Sequence, residues 1–225
     1  MEGMESGALN LALLITAVAP IIALMTYIYL NKKMELEPLS LIIRVFIVGC
    51  LLVFPIMFIQ YGIEQEQHLT GTVWKPFLSA GFLEEFFKWF FFLFIVFKHE
   101  NFDHHYDGII YGVSLSLGFA TVENIIYIFS NGIEIAFLRA VFPVSSHALF
   151  GLIMGYYMGK AKFRTDRKKW CIAFALVIPA LLHGSYGYMV SLPAWLYSLL
   201  PFMVILWVVG FQLIRLANTH HLQGK

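Results

Sequence analysis

The chain has 225 residues, 60% of them hydrophobic and 13% charged, with a formal charge of +1 and a mean hydropathy of +0.76. Soluble domains carry about 25% charged residues, and a chain of this size has no core large enough to hide so much apolar surface from water. A water-soluble fold is excluded, nothing in the charge total points to nucleic acid, and the expected partner of the surface is a lipid bilayer.

Apolar runs lie at about 7–30, 39–60, 77–97, 107–130, 134–159, 170–190 and 194–217. Each is near the roughly 20 residues that a bilayer crossing needs. They predict an all-α, polytopic membrane helix bundle with about seven transmembrane helices and short loops, one integral membrane domain over 1–225. The first run is long and has no basic stretch before it, so it reads as a retained span and not a cleaved signal peptide. Pro38, Pro76 and Pro193 stand beside span starts, where a missing N–H costs little. Cys50 and Cys171 fall inside apolar runs and read as small core hydrophobes, too few for a disulfide framework. The run Phe86–Phe94 reads as lipid-facing and core packing.

Twelve of the fifteen Lys and Arg residues fall on one side of these spans: Lys32, Lys33, Arg44, Lys98, the loop-five group from Lys160 to Lys169, Arg215 and Lys225. The opposite loops hold only Lys75, and loop two also carries Glu64 and Glu66. The positive-inside rule makes the basic side cytoplasmic. The N-terminus is then outside and the C-terminus cytoplasmic, which requires an odd number of spans.

An ionisable side chain at mid-bilayer costs about 2.5–3.5 kcal/mol on insertion scales, so each one needs a reason. The third span holds Glu84, Glu85 and Lys88; the fourth Glu123, followed by Asn124; the fifth His147, with Arg139 nearer its outer end; the sixth His183. His68, His99, His104, His105, His220 and His221 fall in loops or the tail and read as solvated. At 1.5 Å of rise per residue, Glu84, Glu123 and His183 each lie roughly 10 Å below the outer surface. His147 lies roughly 12 Å below Arg139, which can mark the interface by snorkelling. Four helices thus bring acid or imidazole groups to one level in the outer half of the membrane. Glu84 and Glu85 stand four and three residues before Lys88, so all three project to neighbouring sectors. One ammonium cannot neutralise two carboxylates, and the cluster stays acidic or holds a proton.

The fifth and sixth spans share a pattern, Pro143-x-x-x-His147-x-x-x-Gly151 and Pro179-x-x-x-His183-x-x-x-Gly187. A proline one turn before the histidine favours a kink. A glycine one turn after it admits a neighbouring backbone. The fifth span continues this ridge through Gly155 and Gly159.

Glu84-Glu85-Phe86-Phe87-Lys88, then Phe119-x-x-x-Glu123-Asn124, then His147, then His183-Gly184 resemble the PrsW family, bacterial intramembrane proteases related to the CAAX prenyl endopeptidase and Abi proteins. The resemblance covers the third to sixth spans. It implies that Glu84, Glu85 and His183 are associated with activity, that Glu123 and His147 fill the intermediate motifs, and that Phe119, Asn124 and Lys88 support them. Unlike the CAAX enzymes, the second motif has Glu in place of His, and Gly187 in place of Asn follows His183. The resemblance further implies a multi-pass protein of the bacterial cell membrane. Its activity would be the first, site-1 cleavage of a single-span anti-sigma factor, made on the extracytoplasmic side in the envelope stress response.

Peptide hydrolysis needs an activated water and a stabilised oxyanion. Glu85 or Glu84 is the expected general base, with His183 and His147 at the carbonyl, Glu123 orienting a histidine or the water, and Lys88 tuning the glutamates. A Zn²⁺ variant would use His147, His183 and Glu123 as ligands; a metal-independent glutamate mechanism is favoured slightly over it. The alternative functions are a transporter or proton relay through the same groups, and a non-enzymatic membrane scaffold. A relay needs polar residues across the full depth, whereas the inner halves of these spans are nearly free of ionisable groups. Oligomeric state is not fixed by the sequence.

Overall fold

The computed structural model describes residues 2–65, 74–164 and 167–219; Glu66, His68, His220, His221 and Lys225 lie outside them. Among the described residues six helices are long and apolar enough to cross a membrane. They are α1 (Glu2–Leu30), α2 (Leu39–Gln65), α4 (His105–Asn131), α5 (helical from Ala136 to Phe163), α6 (Lys168–Val190) and α7 (Trp195–Thr219). The seventh rod, α3, is a composite: a π-helical piece Pro76–Glu84, an α-helical piece Glu85–Phe91 and a second π-helical piece Phe92–Val96. A π-helical piece, Ala140–Val144, also interrupts α5 just before His147. The kink expected from Pro143 is therefore a widened turn, one of the standard ways a helix absorbs a break. No strand occurs among the described residues.

The bundle is organised around α4 and α5. Their most apolar stretches are 78% and 67% buried, against 22% for α1 and 33% for α2, so these two form the centre and the others face lipid on one side. Small residues allow this closeness. Gly108 and Gly112 of α4 lie against Gly155 and Gly151 of α5, and a β-carbon at any of them would collide with the opposing backbone. Gly49 and Gly118 do the same between α2 and α4, and Gly81 and Gly184 between α3 and α6. In lipid the apolar effect does not drive helices together, so such backbone proximity supplies much of the attraction. The aromatic run of α3 divides as expected: Phe92 is buried and Phe94 exposed to lipid.

At the cytoplasmic ends a second polar cluster fastens the loop between α1 and α2 to the start of α4. Lys32 Nζ lies 2.5 Å from Glu37 Oε1 and 2.7 Å from Asp107 Oδ1, all three side chains buried. The Tyr111 hydroxyl donates to the other oxygen of Glu37. Asp107 Oδ2 accepts the backbone N–H groups of His104 (2.6 Å) and Asp103 (3.1 Å), capping the helix it belongs to. An ion pair contributed by a loop and a helix end shows no mid-span signature in the sequence. His104 and His105 are half-buried, not solvated; the His105 ring packs edge-on against Tyr156 at 5.5 Å.

Two outcomes follow for thermal unfolding in detergent. Gly155→Leu should lower stability by about 1–3 kcal/mol or more through forced separation of α4 and α5, whereas Gly62→Ala, whose added carbon meets nothing within 4 Å, should be neutral. Lys32→Met should cost about 3–5 kcal/mol, because it strands two buried carboxylates.

Candidate active site

The junction at which the first π-helical piece of α3 passes into α-helix falls between Glu84 and Glu85. It turns the two carboxylates toward different neighbours. Glu84 faces α2, where Gln60 Nε2 donates to its Oε1 at 3.1 Å. Glu85, with no exposed surface, faces α6, and its Oε1 lies 2.9 Å from His183 Nδ1. One turn on, Lys88 reaches back between them, 2.8 Å from Glu85 Oε1 and 3.6 Å from Glu84 Oε2. Its ammonium also sits 4.3 Å above the Phe119 ring and 3.3 Å from His147 Nδ1. The phenylalanine of the Phe-x-x-x-Glu segment thus offers a π face to a desolvated cation, a favourable contact in a dry site.

Four residues after Phe119 on the same face of α4, Glu123 Oε2 meets His147 Nε2 at 2.9 Å. The two imidazoles stand edge to face with ring centres 5.0 Å apart, and Phe150 stacks on His183 at 5.0 Å. Asn124 points away from this group: its Nδ2 donates to the Ala17 carbonyl at 2.7 Å, and its Oδ1 accepts Arg139 Nε at 2.8 Å. All five expected acids and imidazoles therefore meet in one connected network, with Lys88 and Phe119 inside it and Asn124 on its outer edge.

The partners assign the tautomers. A lysine has no acceptor, so His147 Nδ1 accepts from Lys88 and its Nε2–H donates to Glu123. Beside the Glu85 carboxylate, His183 donates from Nδ1. The sequence reading missed Gln60, a neutral residue at the end of an apolar run that an inventory of ionisable groups passes over.

Glu84, Glu123, His147 and His183 open onto a cavity of about 400 Å³, walled largely by apolar side chains including Leu138, Phe142, Val190, Trp195 and Leu199. Glu85 does not line it. One ligand atom from each of Glu84, Glu85, His147 and His183 falls within a group whose members all lie within 4.8 Å of one another. Oε2 of both glutamates is buried without a hydrogen-bond partner. Buried carboxylate oxygens left without a hydrogen bond beside two imidazoles fit a divalent metal of the zinc type. This set differs from the expected trio of His147, His183 and Glu123: Glu123 holds the far nitrogen of His147, as carboxylates behind metal-binding histidines do.

Comparison with known proteins points to one family. Residues 37–214 match the model of the family described as PrsW family intramembrane metalloprotease. Similar proteins named Protease PrsW include one from Oceanobacillus iheyensis, 54% identical over 92% of this chain and 97% of that protein. One from Bacillus subtilis is 50% identical over 92% and 96%, and one from Clostridioides difficile is 30% identical over 94% of each. No solved structure matches the chain. By the extent of these matches, and with its bundle of membrane helices, the chain belongs to the PrsW family of bacterial multi-pass intramembrane proteases.

Proposed function

We propose that the protein makes the first cut in a single-span anti-sigma factor on its extracytoplasmic side, with Glu84 as general base and a zinc-type ion at the neighbouring donors. The observation that carries this reading is the meeting of Glu84, Glu123, His147 and His183, from four helices, at one cavity in a membrane protein, with Glu85 bonded to His183 behind it. On the orientation given by the positive-inside rule the cavity lies toward the exterior, which favours a cut on that side.

Glu84 is the carboxylate of the pair that faces the cavity, so it accepts the proton of the attacking water and returns it to the leaving amide nitrogen. Glu85, bonded to Lys88 and His183, holds those two groups in place. Lys88 offsets the charge of the two carboxylates. Glu123 fixes the ring of His147. Two imidazoles beside glutamate Oε2 atoms that have no hydrogen bond form a donor set that suits a divalent ion. Together with the family's description as metalloproteases, this favours the metal variant over the metal-independent one. Glu85, His147 and His183 would hold the ion, and the 3.3 Å contact from Lys88 to His147 is the longest of the ammonium's hydrogen bonds and the one such an ion would replace. When bound, it supplies Lewis-acid polarisation and lowers the pKa of a coordinated water toward about 7. Gln60 is a positioning residue, aiming Glu84 from α2.

Co-expression with single-span envelope proteins, reading truncation on a gel, tests the activity. Glu84→Gln should slow cleavage by about 10²–10⁴-fold, and Glu85→Gln and His183→Ala should abolish it while the protein still folds and binds substrate. The purified protein should carry zinc, lose activity on chelation and regain it with Zn²⁺; full activity in a metal-free preparation would sink the metal reading. Gln60→Leu removes a hydrogen bond to a charged group, so kcat should fall about ten- to a hundred-fold with KM nearly unchanged. An unaltered kcat would remove Gln60 from the site.

A further inference from the structure

Arg139 is the only Lys or Arg among the residues that line the cavity, and its setting is too constrained for a side chain reaching out to the interface. Its Nε donates to Asn124 Oδ1 at 2.8 Å. Asn124 is fully buried and anchored by its own bond to the Ala17 carbonyl. The Tyr127 ring covers one face of the guanidinium at 4.1 Å. A chain from α1 through α4 to α5 thus fixes the plane of the group and uses one of its five N–H donors. The two terminal nitrogens have no bonding partner among the described residues, and of the two acids facing the same cavity, Glu123 is engaged with His147 and Glu84 with Gln60. A guanidinium held flat, with its terminal edge free in a largely apolar cavity, is built to receive a planar anion in two parallel hydrogen bonds.

We infer that Arg139 is a specificity residue that receives an Asp or Glu side chain of the substrate, on the extracytoplasmic flank of the bond to be cut. This rests on the proteolytic reading above. The same cavity joins Arg139 to Glu84, His147 and His183, so a peptide lying across the reacting groups passes the guanidinium. Arg139 and His147 are separated by roughly 12 Å of helix, and an extended chain covers that distance in about four residues at about 3.3 Å each. The substrate acid therefore falls about four residues outside the cut.

The test uses the full-length protein in vesicles of neutral phosphatidylcholine. The probes are a single-span model protein that it cuts, carrying Glu, Ala or Lys at successive positions outside the cut. Glu in one narrow window should raise kcat/KM about ten-fold or more over Ala, mainly through KM. Arg139→Ala should flatten that preference, and Arg139→Glu should invert it in favour of Lys. The Glu85→Gln protein should bind the same panel with the wild-type preference while cutting none of it. Indifference of the wild-type protein to the acid overturns the inference whatever the variants do. So does an Arg139→Ala defect equal on Glu and Ala substrates, or a dependence on added anionic lipid in place of the substrate acid. Cleavage by Glu85→Gln, by contrast, would refute the catalytic site and leave the Arg139 preference standing.

Discussion

The buried ammonium of Lys88 is the interaction on which the site depends. Placing it alone within a bilayer would be costly, and placing Glu84 and Glu85 there alone more so. Together they form a group in which each charge is tolerated because the others are present. Lys88 touches Glu85, Glu84, His147 and the face of Phe119, so one side chain of α3 ties α4 and α5 to its own helix. The cluster keeps more negative than positive charge, which leaves carboxylate oxygens free for a cation or a proton. A fully paired site would be more comfortable in lipid and chemically inert.

Backbone geometry brings the remaining partners to that ammonium. Glycines let α4 and α5 approach until their main chains touch, and this places Glu123 of one within 2.9 Å of His147 of the other. Gly81 and Gly184 do the same for α3 and α6, where Glu85 meets His183. The widened turn in α3 lies directly before Glu85, and that in α5 ends three residues before His147. Each inserts extra backbone into a turn and so sets the direction in which the next side chain points, a common use of such turns at functional sites.

Much of this was legible in the sequence because charge in an apolar run is rare and its depth can be counted. The seven rods, the shared level of Glu84, Glu123, His147 and His183, and the close-packing glycines of the fifth span all came from such counting. What escaped has physical reasons. Gln60 carries no charge. The division of α3 into π and α pieces adds a single residue per turn, which no hydrophobic periodicity resolves in a rod whose other residues are almost all apolar. The Lys32, Glu37 and Asp107 cluster joins residues from a loop and a helix end, where charge is ordinary. Arg139 was visible, but its sequence position suggested an interfacial anchor; only its bond to Asn124 and the ring beneath it show a guanidinium held in place.

The two polar clusters bear on the same rod. Asp107 at the inner end of α4 is locked to Lys32, and Glu123 toward its outer end is locked to His147, with roughly 24 Å of helix between them. A helix tied to its neighbours near both ends by ion pairs has its height set against them, and a slide past them would break both pairs. When the surrounding bilayer thickens or thins, the lipid must deform to meet the protein. The height of this cluster is thus a ruler carried by the bundle, and the membrane adjusts to it.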